Sequence, residues 1–178
     1  ADRFAGRVRI VHLVRHPVPT AMSWLTHSAF VTPFLPHLTE KVLLSPFDQG
    51  VVFGEYKERW ASMTPFEKCL YYWAEVNAFA LRLEKTFQGP WLRLSAEELF
   101  AGEGLVKMLG FLGLGVRDPI VAARSQIVDE HRFMIGSAIP DPAVLDAHPV
   151  ITRIARCLGY ESATIDPDML RQRYGTTS

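Results

Sequence analysis

The chain is poor in cysteine, in long apolar runs and in net charge. Its 178 residues include two cysteines, and Lys plus Arg equals Asp plus Glu at 19 each. A chain without net charge has no overall field that attracts nucleic acid or an anionic membrane. No apolar run approaches the roughly 18 residues of a membrane span. We therefore expect no nucleic-acid partner and no membrane span, and any bound anion must be held by a local site.

The cysteines and the first residues indicate the cellular setting. Cys69 and Cys157 are far apart, lack metal-ligand spacing and stand among apolar neighbours, which is typical of small buried hydrophobes in a reducing compartment. The opening residues, ADRFAGRVRIV, lack the basic, apolar and small-residue pattern of a signal peptide. The sequence therefore predicts a cytoplasmic protein without a disulfide bond.

The chain has enough apolar residues for a core. Hydrophobic residues make up 48% of it, and it contains no internal repeat and no low-complexity tract. Residues 1–178 are therefore predicted to form a single domain. The sequence leaves the oligomeric state open.

Two short segments are predicted to be strands. Residues 8–14 and 91–94 are brief, apolar and flanked by Pro or Gly, which favours strands over helices. After the first strand, Pro17 and Pro19 prevent regular pairing, and a helix is predicted from Thr20 onward. The chain therefore begins with a strand, a turn and a helix.

Further helices are predicted from capping signals. Thr64, Pro65 and Glu67 form a capping box with proline at the first helical position, and the helix should run to about Lys85. Its predicted core stripe is Cys69, Trp73, Val76, Ala80, Leu83 and Phe87. Ser95 and Glu98 form a second capping box, which predicts the start of another helix. Residues 105–112 should be helical up to Gly113, and residues 148–158 up to Gly159.

The order strand, helix, helix, strand, helix predicts an α/β fold with a parallel sheet. Two strands are too few for a parallel sheet that is normally covered on both faces. We therefore expect either further strands or a larger fold of which these residues are a part.

Arg15 and Ser23 are the candidate site residues. Arg15 is the first residue after the predicted strand, at the end where α/β sheets bind ligands. Its guanidinium fork suits phosphate or sulfate, the following helix would add free N–H groups, and Ser23 would add a hydroxyl. The pattern equally fits an arginine paired with a surface carboxylate and an ordinary helical serine.

The stretch RIVHLVRHPVPTAMSW resembles the 3'-phosphate-binding segment of sulfotransferases that use 3'-phosphoadenosine 5'-phosphosulfate (PAPS), with Arg15 and Ser23 on the family's arginine and serine. FEKCLYYWAEVNAFALRLEK is similar to the family's Trp-containing helix. WLRLSAEELF and LVKMLGFLGLG are similar to its next strand and to its Phe-Leu-Gly-Leu segment. The resemblance covers residues 7–115 and continues weakly to Tyr160.

The resemblance implies a P-loop-NTPase-like sulfotransferase fold, a parallel sheet flanked by helices. It implies transfer of a sulfuryl group from PAPS to a hydroxyl or amine of a small-molecule or carbohydrate acceptor, with adenosine 3',5'-bisphosphate (PAP) as product and no metal. Arg15 and Ser23 would bind the 3'-phosphate of the donor. They would position the nucleotide without reacting themselves.

This sequence departs from the family pattern at several places. It contains no P-loop-like segment for the 5'-phosphosulfate and none of the region that supplies the catalytic base. Arg132 matches the family's C-terminal arginine motif only weakly, and Ser95 occupies the position where many relatives have a tyrosine. We therefore expect a fold that is incomplete on its N-terminal side, and catalytic residues that are unknown.

Two alternatives stay open. HLVRHP also resembles the start of the histidine phosphatases, in which His16 would be the phosphoryl nucleophile, although Pro17 replaces the glycine of that motif. The other alternative is a nucleotide-binding relative without catalysis. His12 is expected to be a core residue. None of the remaining histidines has metal-ligand spacing; these are His27, His37, His131 and His148.

Overall fold

The computed structural model describes residues 8–27, 29–31, 43–115, 140–160 and 166–174. The chain divides into two compact units, one of residues 1–15 and 80–131 and one of residues 16–79 and 132–178. Arg132, His37 and His131 lie outside the described residues. Among the described helices, none combines the length and the apolar character needed to cross a membrane.

The first unit contains a parallel sheet of two strands within the described residues. Strand β1 is Ile10–Val14 and strand β2 is Trp91–Ser95, in a register that runs from Ile10 opposite Trp91 to Val14 opposite Ser95. The two predicted strands and their parallel pairing are confirmed. Because parallel strands share a direction, the carboxyl ends of both lie at one edge of the sheet. This edge is where Arg15 follows β1 and where the next helix follows β2.

Two helices follow β2 in the first unit, α3 over Ala96–Ala101 and α4 over Glu103–Leu112. The Ser95 Oγ accepts the Glu98 N–H at 3.0 Å, and the Glu98 carboxylate accepts the Ser95 N–H at 2.8 Å. This confirms the predicted capping box. Helix α4 ends at Gly113, whose φ of 74° is in the left-handed region that glycine adopts most easily.

Gly104, in the first turn of α4, is expected not to tolerate a side chain. A Cβ there would lie 2.6 Å from the carbonyl carbon of Glu98 and from the backbone nitrogen of Leu99. These are backbone atoms, so α3 or α4 would have to shift. Gly104→Ala should lower the free energy of unfolding by about 1–3 kcal/mol, the usual cost of overpacking.

Gly110 in the same helix provides the matched control. A Cβ at Gly110 would meet no heavy atom within 4 Å. Gly110→Ala should therefore raise the free energy of unfolding by up to about 1 kcal/mol, because alanine is the better helix former. Urea unfolding of both variants measures the difference. Equal effects of the same sign would contradict the close approach at Gly104.

The second unit is built mainly of helices. Helix α1 is Pro17–Thr26, helix α2 is Pro65–Thr86, helix α5 is Pro149–Cys157 and helix α6 is Pro167–Tyr174. Short 3₁₀ helices cover Gly54–Lys57, Trp60–Ser62 and Pro142–Ala147. The residues of helix α2 up to Phe79 belong to this unit, and the rest of the helix belongs to the first unit.

Helix α1 begins at Pro17, three residues before the predicted start at Thr20. The two prolines lie in the first turn, where backbone N–H groups have no partner inside the helix. Proline is tolerated there because the N–H it lacks would be unused, and its fixed φ suits a helix. Strand β1 ends at Val14, before both prolines, as predicted, and the predicted start of the helix at Thr20 was wrong by three residues.

Helix α2 ends one residue beyond the predicted Lys85, and its capping box is confirmed by the Thr64 N–H donating to the Glu67 carboxylate at 2.7 Å. The predicted core stripe is right at Cys69 and Trp73 but wrong at Val76, which is 40% exposed. The buried face is broader than one stripe, because residues on both sides of it also contact neighbours; these include Phe66, Leu70, Tyr71, Ala74, Asn77 and Ala78.

Cys69 is buried as predicted, but Cys157 is exposed, which corrects the prediction that both cysteines are buried. The buried face of α5 consists of Val150, Ile151, Ile154 and Ala155. Cys157 lies on the other side of this amphipathic helix. An apolar neighbourhood in sequence therefore did not indicate the face on which the cysteine lies.

Candidate functional site

Arg15 lies at the carboxyl edge of the parallel sheet. It directly follows Val14, the last and buried residue of β1, and its own side chain is half-buried. At the same edge β2 leads into α3 through the Ser95 cap. In parallel sheets this edge is the usual place for ligands. The strand end predicted for Arg15 is therefore observed, within the first unit.

Ser23 lies about two turns into α1, where it is partly exposed. It belongs to the second unit, whereas Arg15 is the last residue of the N-terminal part of the first unit. Along the chain, only Arg15 and His16 separate the end of β1 from the start of α1. The predicted order of strand, turn and helix is confirmed.

The N-terminus of α1 offers fewer N–H donors than the sequence suggested. Pro17 and Pro19 have no N–H group. The Val18 N–H donates to Nδ1 of His16 at 3.3 Å, and the Thr20 N–H donates to the His16 carbonyl at 3.3 Å. The expectation of free N–H groups at this helix start was therefore wrong. Any anion held here depends on side chains.

His16 acts as the N-cap of α1 and packs edge-on against Tyr160, with ring centroids 5.5 Å apart. Because Nδ1 accepts the Val18 N–H, the neutral ring carries its proton on Nε2. A nitrogen that carries a proton has no lone pair for attack on phosphorus. This geometry does not favour a nucleophilic role for His16.

A buried polar network in the second unit was missed by the sequence. His148 is fully buried, with 0% exposure, and its ring contacts two side chains. Its Nδ1 lies 3.1 Å from the Tyr56 hydroxyl, and its Nε2 lies 2.9 Å from Oε1 of Glu67. The rings of His148 and Tyr56 also stack, 12° from parallel. We call these three residues the Tyr-His-Glu network.

The protonation states in the Tyr-His-Glu network follow from burial and partners. Burial raises the pKa of Tyr56 to about 12, so its hydroxyl keeps its proton and donates to Nδ1 of His148. Burial also lowers the pKa of His148, against the opposing effect of its hydrogen bond to Glu67. The neutral ring then donates from Nε2 to the Glu67 carboxylate.

Glu67 joins the network to the start of α2. Burial raises the pKa of Glu67, but hydrogen bonds from the Thr64 N–H, from His148 and from the Thr64 hydroxyl outweigh it, and the net shift is downward. One oxygen, Oε2, accepts the Thr64 N–H, and the other, Oε1, faces His148. The capping box was visible in the sequence, but this second contact was not.

Arg59 adds a further link. Its Nη1 donates to the Ala147 carbonyl at 2.7 Å, and its Nη2 lies 3.8 Å from Oε1 of Glu67. Its guanidinium is also 5.7 Å from the centre of the Tyr56 ring. Because His148 is fully buried, we interpret the network as structural: it holds the segment of Pro142–Ala147 and α5 against α2 and does not contact substrate.

Stability is expected to fall in acid because of this network. The unfolded chain protonates His148 below its ordinary pKa of 6.5, whereas the folded chain resists the proton. Glu67 acts in the same direction, because its folded pKa lies below the ordinary 4.5. Both contributions are present at neutral pH. The stability that His148 contributes should be lost as pH falls from 6.5 through its folded pKa. The stability that Glu67 contributes should be lost as pH falls from 4.5 through its folded pKa.

Urea unfolding at a series of pH values measures this loss, and His148→Phe is the control. The variant cannot take up the proton, so its stability should depend less on pH between about 7 and 5. An equal dependence in both proteins would contradict the role of His148.

The described residues contain no group of three His, Cys, Asp or Glu placed to hold a metal ion. Comparisons of this chain with protein-family models, with curated proteins and with solved structures find no match. The function is therefore inferred from the residues and their geometry.

Proposed function

We propose that this chain is the 3'-phosphate-binding part of a PAPS-dependent sulfotransferase, in which Arg15 and Ser23 hold the 3'-phosphate of the donor. The observation that supports it most is the position of Arg15, directly after a buried strand of a parallel sheet and two residues before a helix. In α/β folds this is where phosphate groups of nucleotides bind.

The chemistry of the two side chains suits this role. Arginine offers a rigid fork of N–H donors that matches a phosphate in two-point hydrogen bonding, and it stays charged at every physiological pH. A serine hydroxyl adds a further donor. Because the first turn of α1 has no free N–H from Pro17, Val18, Pro19 or Thr20, these side chains would supply the binding themselves.

In the proposed reaction the bond between sulfur and the bridging oxygen of the donor breaks, and a bond between sulfur and the acceptor oxygen or nitrogen forms. The acceptor loses its proton, and PAP leaves. Arg15 and Ser23 position the nucleotide so that the acceptor attacks in line with the leaving group, which is a large part of catalysis in group transfer. We assign no catalytic base to this chain. The acceptor is a small molecule or a carbohydrate.

The phosphatase alternative needs an unprotonated Nε2 on His16, and the cap that His16 forms with Val18 favours the opposite tautomer. A non-catalytic nucleotide-binding relative would use the same Arg15 and Ser23. Only a transfer assay separates it from the enzyme.

Calorimetric titration with PAP tests the proposed site. Arg15→Ala should weaken binding by 1.5–3 kcal/mol, the usual value of a hydrogen bond to a charged group, which is roughly a 10- to 150-fold rise in Kd. Arg15→Lys keeps the charge but loses the fork, so it should fall between wild type and alanine. Ser23→Ala should weaken binding by up to about tenfold.

Arg171→Ala is the matched control, because Arg171 is an exposed arginine that pairs with Asp168 at 2.6 Å on α6. It should leave PAP binding unchanged. If the Arg15 and Arg171 variants lost equal PAP affinity, the loss would reflect the total positive charge of the protein, and this would overturn the site. Phosphatase activity that disappears in His16→Ala, without PAP binding, would favour the alternative.

A further inference from the structure

A cavity that the proposed function does not use lies in the second unit, beside α5. A cavity of about 600 Å³ opens between the Pro142–Ala147 helix and the face of α5 that points away from the core. Pro149, Thr152, Arg153 and Arg156 line it at the three- and four-residue spacing of one helix face. Its volume is in the range of small-molecule sites.

Two arginines in this cavity are available for a ligand. Within the described residues, neither the Arg153 nor the Arg156 side chain makes an ion pair or a hydrogen bond, and both line the same space. Two unpaired guanidiniums three positions apart repel each other, and an anion between them removes that repulsion. The pair therefore points to an anionic group.

The rest of the lining indicates what else the ligand carries. Asp146 contributes a carboxylate that would repel a bare phosphate but would accept hydrogen bonds from hydroxyl groups. Thr152 adds a hydroxyl beside the arginines. Leu145 and Pro149 offer apolar atoms, against which the C–H groups of a sugar ring pack. Pro149 and Arg156 are about 10 Å apart along the helix, which is near the length of a phosphorylated hexose.

The cavity wall is held in place before any ligand binds. Leu145 is 8% exposed and Ile151 is fully buried, so both adjacent elements are anchored in the core. Between them, His148 is fixed by the Tyr-His-Glu network, and the Ala147 carbonyl accepts a bond from Arg59. A site on rigid elements loses less entropy on binding.

We propose that this cavity binds a hydroxylated organic phosphate of the sugar-monophosphate class. Arg153 and Arg156 bind the phosphate, and Asp146 and Thr152 bind hydroxyl groups. The inference is independent of the proposed function, since it uses none of the residues assigned to PAP.

Titration with glucose 6-phosphate tests this site, with glucose and inorganic phosphate as the two partial ligands. The sugar phosphate should bind more tightly than either part. Arg153→Ala and Arg156→Ala should each raise its Kd about tenfold. Arg171→Ala and Arg15→Ala should leave it unchanged, which separates this site from the proposed PAP site.

Asp146→Asn decides the role of the carboxylate. If Asp146 accepts ligand hydroxyls, the variant should bind glucose 6-phosphate several-fold more weakly. Tighter binding in Asp146→Asn, or equal affinity for inorganic phosphate and glucose 6-phosphate, would overturn the sugar-phosphate assignment. Absence of binding at about 10 mM, or binding unaffected by both arginine variants, would overturn the site itself.

Discussion

Glu75→Ala is expected to lower the free energy of unfolding by about 3–5 kcal/mol, the usual cost of removing one partner from a buried charged contact. Glu75 lies in α2 and is 3% exposed. Its carboxylate accepts the N–H groups of Val52 and of Phe53, the latter at 3.1 Å. The alanine variant leaves both backbone donors without this partner.

Two further variants make this test specific. Glu75→Gln keeps the size and one acceptor oxygen, so it should lose clearly less stability than the alanine. Glu58→Ala removes an exposed carboxylate and should change stability by no more than about 0.5 kcal/mol. Urea unfolding measures all three. A Glu75→Ala loss as small as that of Glu58→Ala would mean that the carboxylate does not hold the 52–53 backbone.

His148→Phe is expected to lower the free energy of unfolding by about 2–4 kcal/mol, because it leaves the buried Tyr56 hydroxyl unpaired and removes a hydrogen bond to the charged Glu67 carboxylate. The Tyr56 hydroxyl loses its acceptor, and the Glu67 carboxylate loses one donor while it keeps the Thr64 N–H. Phenylalanine keeps the ring, so the stacking on Tyr56 and most of the packing remain. The loss therefore reports the hydrogen bonds more than the volume.

A double variant isolates the hydrogen-bond contribution. Tyr56→Phe together with His148→Phe removes both members of one bond, and replacing both partners costs less than orphaning one. The double variant should therefore lose less than the sum of the two single variants, by about 0.5–3 kcal/mol. Strict additivity in thermal unfolding would show that the contact at 3.1 Å contributes no coupling.

Local patterns predicted most of the described elements. The Thr64 and Ser95 capping boxes, the strand that ends before Arg15 and the glycine that ends α4 depend on neighbours within four residues, and each is observed. The predicted start of α1 at Thr20 was wrong, because proline is tolerated in the first helical turn, where backbone N–H groups have no partner inside the helix.

Faces and long-range partners were not predictable in the same way. Cys157 was predicted to be buried from its apolar neighbours and Val76 from its helical spacing, but both are exposed, because a helical face is selected by what packs against it. His148 lies 92 positions from Tyr56 and 81 from Glu67, and no spacing signals such a contact. The arginine pair on α5 became a candidate site only through the cavity that both residues line.

The sequence by itself determined the strand, the turn and the helix around Arg15, and with them the proposal that this segment binds a nucleotide phosphate. These features arise from backbone preferences and caps that act over one or two turns. The tertiary structure alone decided that His16 packs against Tyr160, that His148 is buried between Tyr56 and Glu67, and that two arginines of α5 share a cavity. The reason is physical: burial and pairing depend on distant segments that chain folding brings into contact.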